Sequence, residues 1–210
     1  MDIGRYIVIE GADGTGKSTQ VTRLAEHLTA EGREVVEFHE PAGTEFSNEL
    51  RKVIVNGELG RSALTNVLLY TAARRENWLQ QALPVLNRDG YVVASRNYLS
   101  TLVYQGYAEG LGEDIVRQVT ELAMDERYVT PDALIVLDVD DEVRFKRVGE
   151  RGALEKPDIF ESKGEEFQAR LREGYRRAAL EQDLTVISAN QTIDEVEGAI
   201  WAELQKEELV

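Results

Sequence analysis

Residues 11–18 read GADGTGKS, and this stretch decides how the rest of the chain is read. It fits the pattern G-x-x-x-x-G-K-[ST] without a gap. In a chain of 210 residues that is roughly a one-per-cent coincidence at average glycine usage. Its flanks also fit. RYIVIE (5–10) is a short apolar strand candidate, and residues 17–31 place Val21, Leu24, Ala25 and Leu28 at helical spacing. In a strand–loop–helix of this kind the glycines at 11, 14 and 16 let backbone N–H groups turn inward. The helix N-terminus adds a partial positive charge. Lys17 is then placed to reach β- and γ-phosphates, and the Ser18 hydroxyl can ligate Mg²⁺. The stretch therefore predicts a nucleoside-triphosphate site spanning Gly11, Ala12, Asp13, Gly14, Thr15, Gly16, Lys17, Ser18 and Thr19.

Working outward, four further apolar runs read as strands: EVVEF (34–38), YVVA (91–94), ALIVLDVD (133–140) and LTVIS (184–188). Helical patterns separate them. One ends near Asn56-Gly57, and one runs from 62 to 86 with a break at Pro84. Others cover 113–126, 141–150, 164–181 and 192–206. Alternating strands and helices predict an α/β fold, a five-stranded parallel sheet covered by helices on both faces. Ligands then bind at the carboxyl ends of the strands. There are no repeats and no linker, so residues 1–210 read as a single domain.

Composition narrows the class. Hydrophobic residues make up 42% and charged residues 30%, which excludes a disordered or fibrous chain. The net charge of −15 argues against a nucleic-acid binder. It reads first as a solubility feature, with a high-salt source as a second possibility. No apolar run approaches a membrane span, and MDIGRYIVIEG lacks the features of a signal peptide. With no cysteine, the chain is expected to be cytoplasmic and free of disulfides and thiolate metal sites. The base-reading Asn-Lys-x-Asp of a GTPase does not occur. A large ATPase would need more chain and a strand ending in Asp-Glu. The remaining small class transfers phosphate to a small acceptor.

The segments IVIEGADGTGKSTQ, HEPAGT, LLYTAARRENW, SRNYLSTLVYQGY, LIVLDVDDEVRFKRVGERG and VISANQTIDEV, in this order from about residue 5 to 198, resemble thymidylate kinases. That resemblance implies the P-loop NTPase fold with strand order 2-3-1-4-5 and a short lid at about 147–162. It also implies Mg²⁺ as cofactor, ATP and dTMP as substrates, and a homodimer packed near LLYTAA. The implied reaction is ATP-dependent phosphorylation of dTMP to dTDP, a step of nucleotide biosynthesis toward dTTP.

The residue roles follow by position. Asp13 would contact the deoxyribose 3′-hydroxyl. Glu40 and Pro41 would order the acceptor loop, with Glu40 helping to hold the Mg²⁺ water shell. Tyr70 would stack on thymine, and Arg74, one turn later, would grip the acceptor phosphate. Ser100, Tyr104 and Gln105 would bound the base. Arg96 would lie between donor and acceptor phosphates and neutralise the charge brought together there. From 144 to 156 the sequence holds five cations and two acids, a reversal suited to a segment closing over ATP. Arg151 is the lid cation expected to act in catalysis with Lys17, Arg96 and Asp13. Arg147 supports it, and Asn190 lies where relatives contact adenine. The chain departs from the family pattern at His39 (usually Arg), Ala42 (often Gly), Ala73 and Ser95 (both Asp). The departures at Ser95 and Ala73 keep open a kinase of another nucleoside monophosphate or of a deoxynucleoside. A non-catalytic nucleotide-binding module is the alternative of a different class.

Overall fold

A computed structural model describes residues 4–150, 160 and 163–210. β1 (Arg5–Glu10) is the central strand of a five-stranded sheet, ordered β2-β3-β1-β4-β5. Its partners are β2 (Val35–His39), β3 (Tyr91–Ser95), β4 (Ala133–Asp138) and β5 (Thr185–Ser188), and all pairings are parallel. β1 reads as a continuous apolar run because both of its faces are covered. Ile7 and Ile9 pack against Val21, Leu24 and Leu28 of α1 (Lys17–Ala30) and against Val196, Ile200 and Leu204 of α10 (Ile193–Lys206). Tyr6 and Val8 face the other way, onto Phe38, Trp78 and Tyr128. Fully burying each such aliphatic side chain stabilises the fold by about 2 kcal/mol.

The remaining helices fill both layers. They are α2 (Glu45–Val55), α3 (Ala63–Asn77), α4 (Leu83–Leu86), α5 (Tyr98–Thr101), α6 (Glu113–Ala123), α7 (Glu126–Val129), α8 (Asp141–Glu150) and α9 (Glu165–Glu181). Two expectations change. The long helix over 62–86 does not run straight to Pro84; it opens into a π-helical segment, Trp78–Ala82, between α3 and α4. Proline cannot accept the crowding of a regular turn before it, and the wider turn relieves that clash. Residues 98–108, with no helix expected, form α5 and a second π-helical segment, Leu102–Ala108. Asn97 starts α5 by accepting a hydrogen bond from the Leu99 amide at 2.8 Å. The five strands otherwise fall within two residues of the expected bounds.

Register positions the site. Ile9 lies opposite Ser95, and Ser95 opposite His39. The exits of β1, β2 and β3 are therefore level, and they bring Gly11, Glu40 and Arg96 to one edge.

Candidate active site

The P-loop leaves β1 and curls against β4. Gly11 has φ 139°, and a Cβ there would stand 2.4 Å from the Leu137 carbonyl oxygen, so only glycine lets the loop lie this close. Gly14, at φ 87°, leans on α8; a Cβ there would lie 2.9 Å from Val148 Cγ2 and 3.1 Å from the Arg144 backbone oxygen. The Ala12 carbonyl accepts from Lys17 Nζ at 2.7 Å and from Thr15 Oγ1 at 3.0 Å, which fixes the shape of the loop. Ser18 and Thr19 are exposed on the first turn of α1.

Arg96 sits at the exit of β3 with φ 76°. A non-glycine residue held there carries about 1–3 kcal/mol of strain, and such strain gathers at functional sites. The surroundings fix it firmly. Its Nη2 is ion-paired with Asp13. Its Nη1 donates to Ser100 Oγ at 2.7 Å and to the Gly11 carbonyl at 3.3 Å. The guanidinium also lies over the Tyr104 ring, 5.6 Å from its centroid, and the Tyr104 hydroxyl donates to Asp13 at 2.9 Å. Burial alone would raise the Asp13 carboxyl, but Arg96 and Lys17 outweigh it and hold the group at about 2, below its ordinary 3.8.

A depressed carboxyl pKa contributes stability that is present above the unfolded value and lost as pH falls toward the folded one. Asp13→Asn is therefore expected to destabilise the fold by about 2 kcal/mol at neutral pH. The gap from wild type should narrow below about pH 4, as the wild-type carboxyl is protonated first in the unfolded and then in the folded state and its contribution is lost. Urea unfolding across pH checks this, and a gap that does not change with pH would contradict it.

A second ion pair lies deeper. Arg74 Nε donates to Glu40 Oε2 at 2.7 Å, with side chains 2% and 3% exposed. Tyr128 donates to the other Glu40 oxygen at 2.6 Å. Burial pushes the Glu40 carboxyl up, and Arg74 and Tyr128 pull it back. Each Glu40 oxygen thus accepts one hydrogen bond from a protein donor, and the residue also lines the cleft described below. Arg74 Nη2 donates to the Asn97 carbonyl at 3.3 Å and to Thr101 Oγ1 at 3.1 Å. Its Nη1 is buried without a hydrogen-bond partner among the described residues.

A cleft of about 520 Å³ opens between the P-loop and α2. Its wall brings together Asp13, Gly14, Gly16, Lys17, Ser18, Glu40 and Arg96. It also holds His39, Asn48, Arg51 and Lys52, which the sequence reading did not single out as site residues. The signal for Arg51 and Lys52 was a pair of cations just after the Pro/Gly loop at 40–44. Glu45 and Glu49 precede them, and Lys52 is ion-paired with Glu49 at 2.5 Å. Tyr70, Arg74, Ser100, Tyr104 and Gln105 are not in that wall. Tyr70 is half-buried against the Leu99–Tyr104 cluster. Gln105 is 1% exposed, and its side-chain amide donates to Glu109 at 3.2 Å. Pro41 follows Glu40 in the turn after β2. Asn190 is exposed, and its Oδ1 accepts from the Asp140 amide at 3.0 Å. Arg147 is half-buried on α8; Arg151 and most of the expected lid lie outside the described residues. Arg144, on the same helix, is buried beneath Gly14 and donates to Gln168 at 3.0 Å, a contact no sequence pattern announced.

Among the described residues no cluster of three or more His, Cys, Asp or Glu could hold a metal ion. The Ser18 hydroxyl, exposed in the cleft wall, suits a hard cation that takes most of its ligands from phosphates and water. No described helix is long and apolar enough to cross a membrane.

A glycine-rich loop between β1 and α1, a strand order of 2-3-1-4-5 and an arginine facing the loop from the neighbouring strand define a P-loop phosphotransferase. The particular family follows from comparison. The thymidylate kinase family model matches residues 9–200, and the chain belongs to that family. It is 37% identical over 174 residues to the thymidylate kinase of Caldanaerobacter subterraneus, covering 83% of this chain and 81% of that one. It is 33% identical over 199 residues to that of Clostridium novyi, covering 93% and 96%. The crystal structure of thymidylate kinase from Ehrlichia chaffeensis superposes with a TM-score of 0.76 at 28% identity, covering 96% of this chain and 98% of that one.

Proposed function

We propose that this kinase carries out ATP-dependent phosphorylation of dTMP to dTDP, with ATP on the P-loop and dTMP on the far side of Arg96. The observation that carries the reading is the place of Arg96. One guanidinium touches the P-loop through Gly11 and Asp13 and the β3–α5 segment through Ser100. A group so placed faces donor and acceptor at once, and it can offset the charge that in-line transfer concentrates. Lys17 and the α1 N-terminus hold the donor phosphates. Ser18 would hold Mg²⁺, whose charge would screen the donor phosphates. Asp13, kept ionised, accepts from a sugar hydroxyl while it holds Arg96. The resemblance gives Arg74 the acceptor phosphate; Glu40 and the Tyr128 ring fix its direction, and its buried Nη1 has no hydrogen-bond partner among the described residues. The protein atoms do little covalent chemistry; positioning and charge neutralisation supply the rate.

Further parts of the reading rest on the resemblance. The lid at about 147–162, with Arg151 and Arg147, would close over ATP and exclude water. Asn190 would lie near adenine. Leu64 and Leu68 on α3 and Leu122 on α6 leave apolar surface exposed, which suits a homodimer. A cytoplasmic location fits the absence of cysteine.

The test is ADP formation with ATP, Mg²⁺ and, separately, dTMP, dUMP, UMP, CMP, AMP and thymidine. A kcat/KM for dTMP at least about tenfold above the others is expected, since one well-made base contact discriminates by 1–3 kcal/mol. Preference for another acceptor would move the assignments at Tyr70 and Arg74, and ATP binding without turnover would favour a binding module.

A further inference from the structure

Glu10 is the last residue of β1, fully buried, and not among the site residues expected from sequence. It is surrounded by donors. Its Oε1 accepts from the amides of Asn97 at 2.9 Å and Ser100 at 3.0 Å. Its Oε2 accepts from the Gly11 amide at 3.0 Å, from Ser100 Oγ at 2.9 Å and from the Tyr175 hydroxyl at 3.1 Å. The same two hydroxyls also touch Arg96: Nη1 donates to Ser100 Oγ at 2.7 Å and to the Tyr175 oxygen at 3.3 Å. The buried carboxylate and the guanidinium are thus joined through two hydroxyls in parallel. Each can donate to the acid and accept from the cation.

From this geometry we infer that Glu10 and Tyr175 are positioning residues for phosphoryl transfer, holding Arg96 through a double hydroxyl relay. The inference rests on the proposed role of Arg96. The relay has a chemical logic. Arg96 occupies an unfavourable backbone conformation, and residue 95 beside it is a serine, not an acid. Its orientation must come from elsewhere. Asp13 holds one nitrogen, Nη2; Ser100 and Tyr175 hold the other, and Glu10 orients both hydroxyls by accepting a hydrogen bond from each. Burial and the Glu10 carboxylate push the Tyr175 phenol well above its ordinary value, so it remains a donor throughout the working range of pH. Tyr175 also brings a distant element into the site. It stands on α9, the helix that follows the expected lid, and neighbouring Gly174 lets α9 close onto the π-helical segment: a Cβ there would stand 2.9 Å from Val103 and from the Tyr107 ring. A shift of α9 would therefore reach Arg96 directly.

The experiment compares Tyr175→Phe, Ser100→Ala, their double variant and Arg96→Ala at saturating ATP, Mg²⁺ and dTMP. It records kcat there, each KM with that substrate varied against saturating amounts of the other, the melting temperature and the NMR signal of the Arg96 Nε–H. Tyr175→Phe is expected to lower kcat about tenfold, the size of one lost hydrogen bond to a charged group. KM for ATP should hold within about twofold, and the Arg96 signal should shift or broaden. The double variant should lose more than the product of the single losses, because each hydroxyl can substitute in part for the other. If the double variant keeps wild-type kcat while Arg96→Ala collapses, the relay is wrong and the role of Arg96 stands. If Arg96→Ala itself keeps wild-type kcat, the underlying reading fails. A lower melting temperature with unchanged kcat and an unmoved Arg96 signal would make the cluster structural only and overturn the inference.

Discussion

Replacing Arg96 with alanine lowers kcat by about a thousandfold, while the affinity for ATP changes by no more than about threefold. The asymmetry follows from position. Lys17 and the α1 N-terminus face the donor phosphates without help from Arg96, so ground-state binding of ATP survives. The guanidinium matters when donor and acceptor charges approach, and that interaction is realised only in the transition state. Arg96→Lys restores part of the loss, because an ammonium supplies charge but not the fork that reaches Asp13 and Ser100 together. Alanine keeps the left-handed backbone strain and leaves Asp13 without its partner, so a modest fall in stability accompanies the loss of rate. Steady-state assays of ADP release with calorimetry of ATP binding separate the two. A kcat within about threefold of wild type would remove Arg96 from the reaction.

The second large effect is on stability. Arg74→Met leaves the Glu40 carboxylate buried with only Tyr128 for company, and is expected to cost about 3–5 kcal/mol. For a chain of this size that is on the order of 10 °C in melting temperature. The expensive object is the unpaired charge and not the missing contact. Adding Glu40→Gln to Arg74→Met should therefore recover part of the loss, since a neutral amide can still meet the Tyr128 hydroxyl. The pH dependence carries a sign. Burial raises the folded-state pKa of Glu40, and without Arg74 it rises further. A raised carboxyl pKa makes the folded state the better proton binder, so the variant's deficit is largest at neutral pH and shrinks as pH falls. Thermal unfolding of the single and double variants tests both statements. A single variant within about 1 kcal/mol of wild type, or a double variant no better than the single, would show that the pair contributes little.

The two variants separate the two layers of the site. Arg96 lies at the surface of the cleft, touching what reacts. Arg74 lies beneath it, tied to Glu40 of the cleft wall, and the first effect of the pair is on whether the acceptor side has a fixed shape. Asp13 belongs to both, holding Arg96 while it faces the cleft.

By itself the sequence determined the class of fold and the donor site. GADGTGKS between an apolar run and a helical pattern is a local signal: glycine, lysine and serine act through backbone conformation and immediate reach. The alternation of five strands with helices is local as well, because burial on both faces of a parallel sheet writes itself into each strand as an apolar run. The order of the motifs carried the family, and with it Arg96. Tertiary structure decided the rest. Glu10 reads as the polar end of a strand until the parallel register sets Asn97, Ser100 and Tyr175 around it, at separations of 87 to 165 residues. Arg51 and Lys52 belong to no motif along the chain and join the P-loop only as walls of the same cleft. Gln105 and Glu40 are of the right chemical type for a base edge and a cation, and only packing shows that Glu109 meets the one and Arg74 and Tyr128 the other. The physical reason is common to all of these. Hydrogen-bonding capacity is a property of a residue type and can be read along a chain, whereas the partner that satisfies it is chosen only when distant segments are packed together and water is removed.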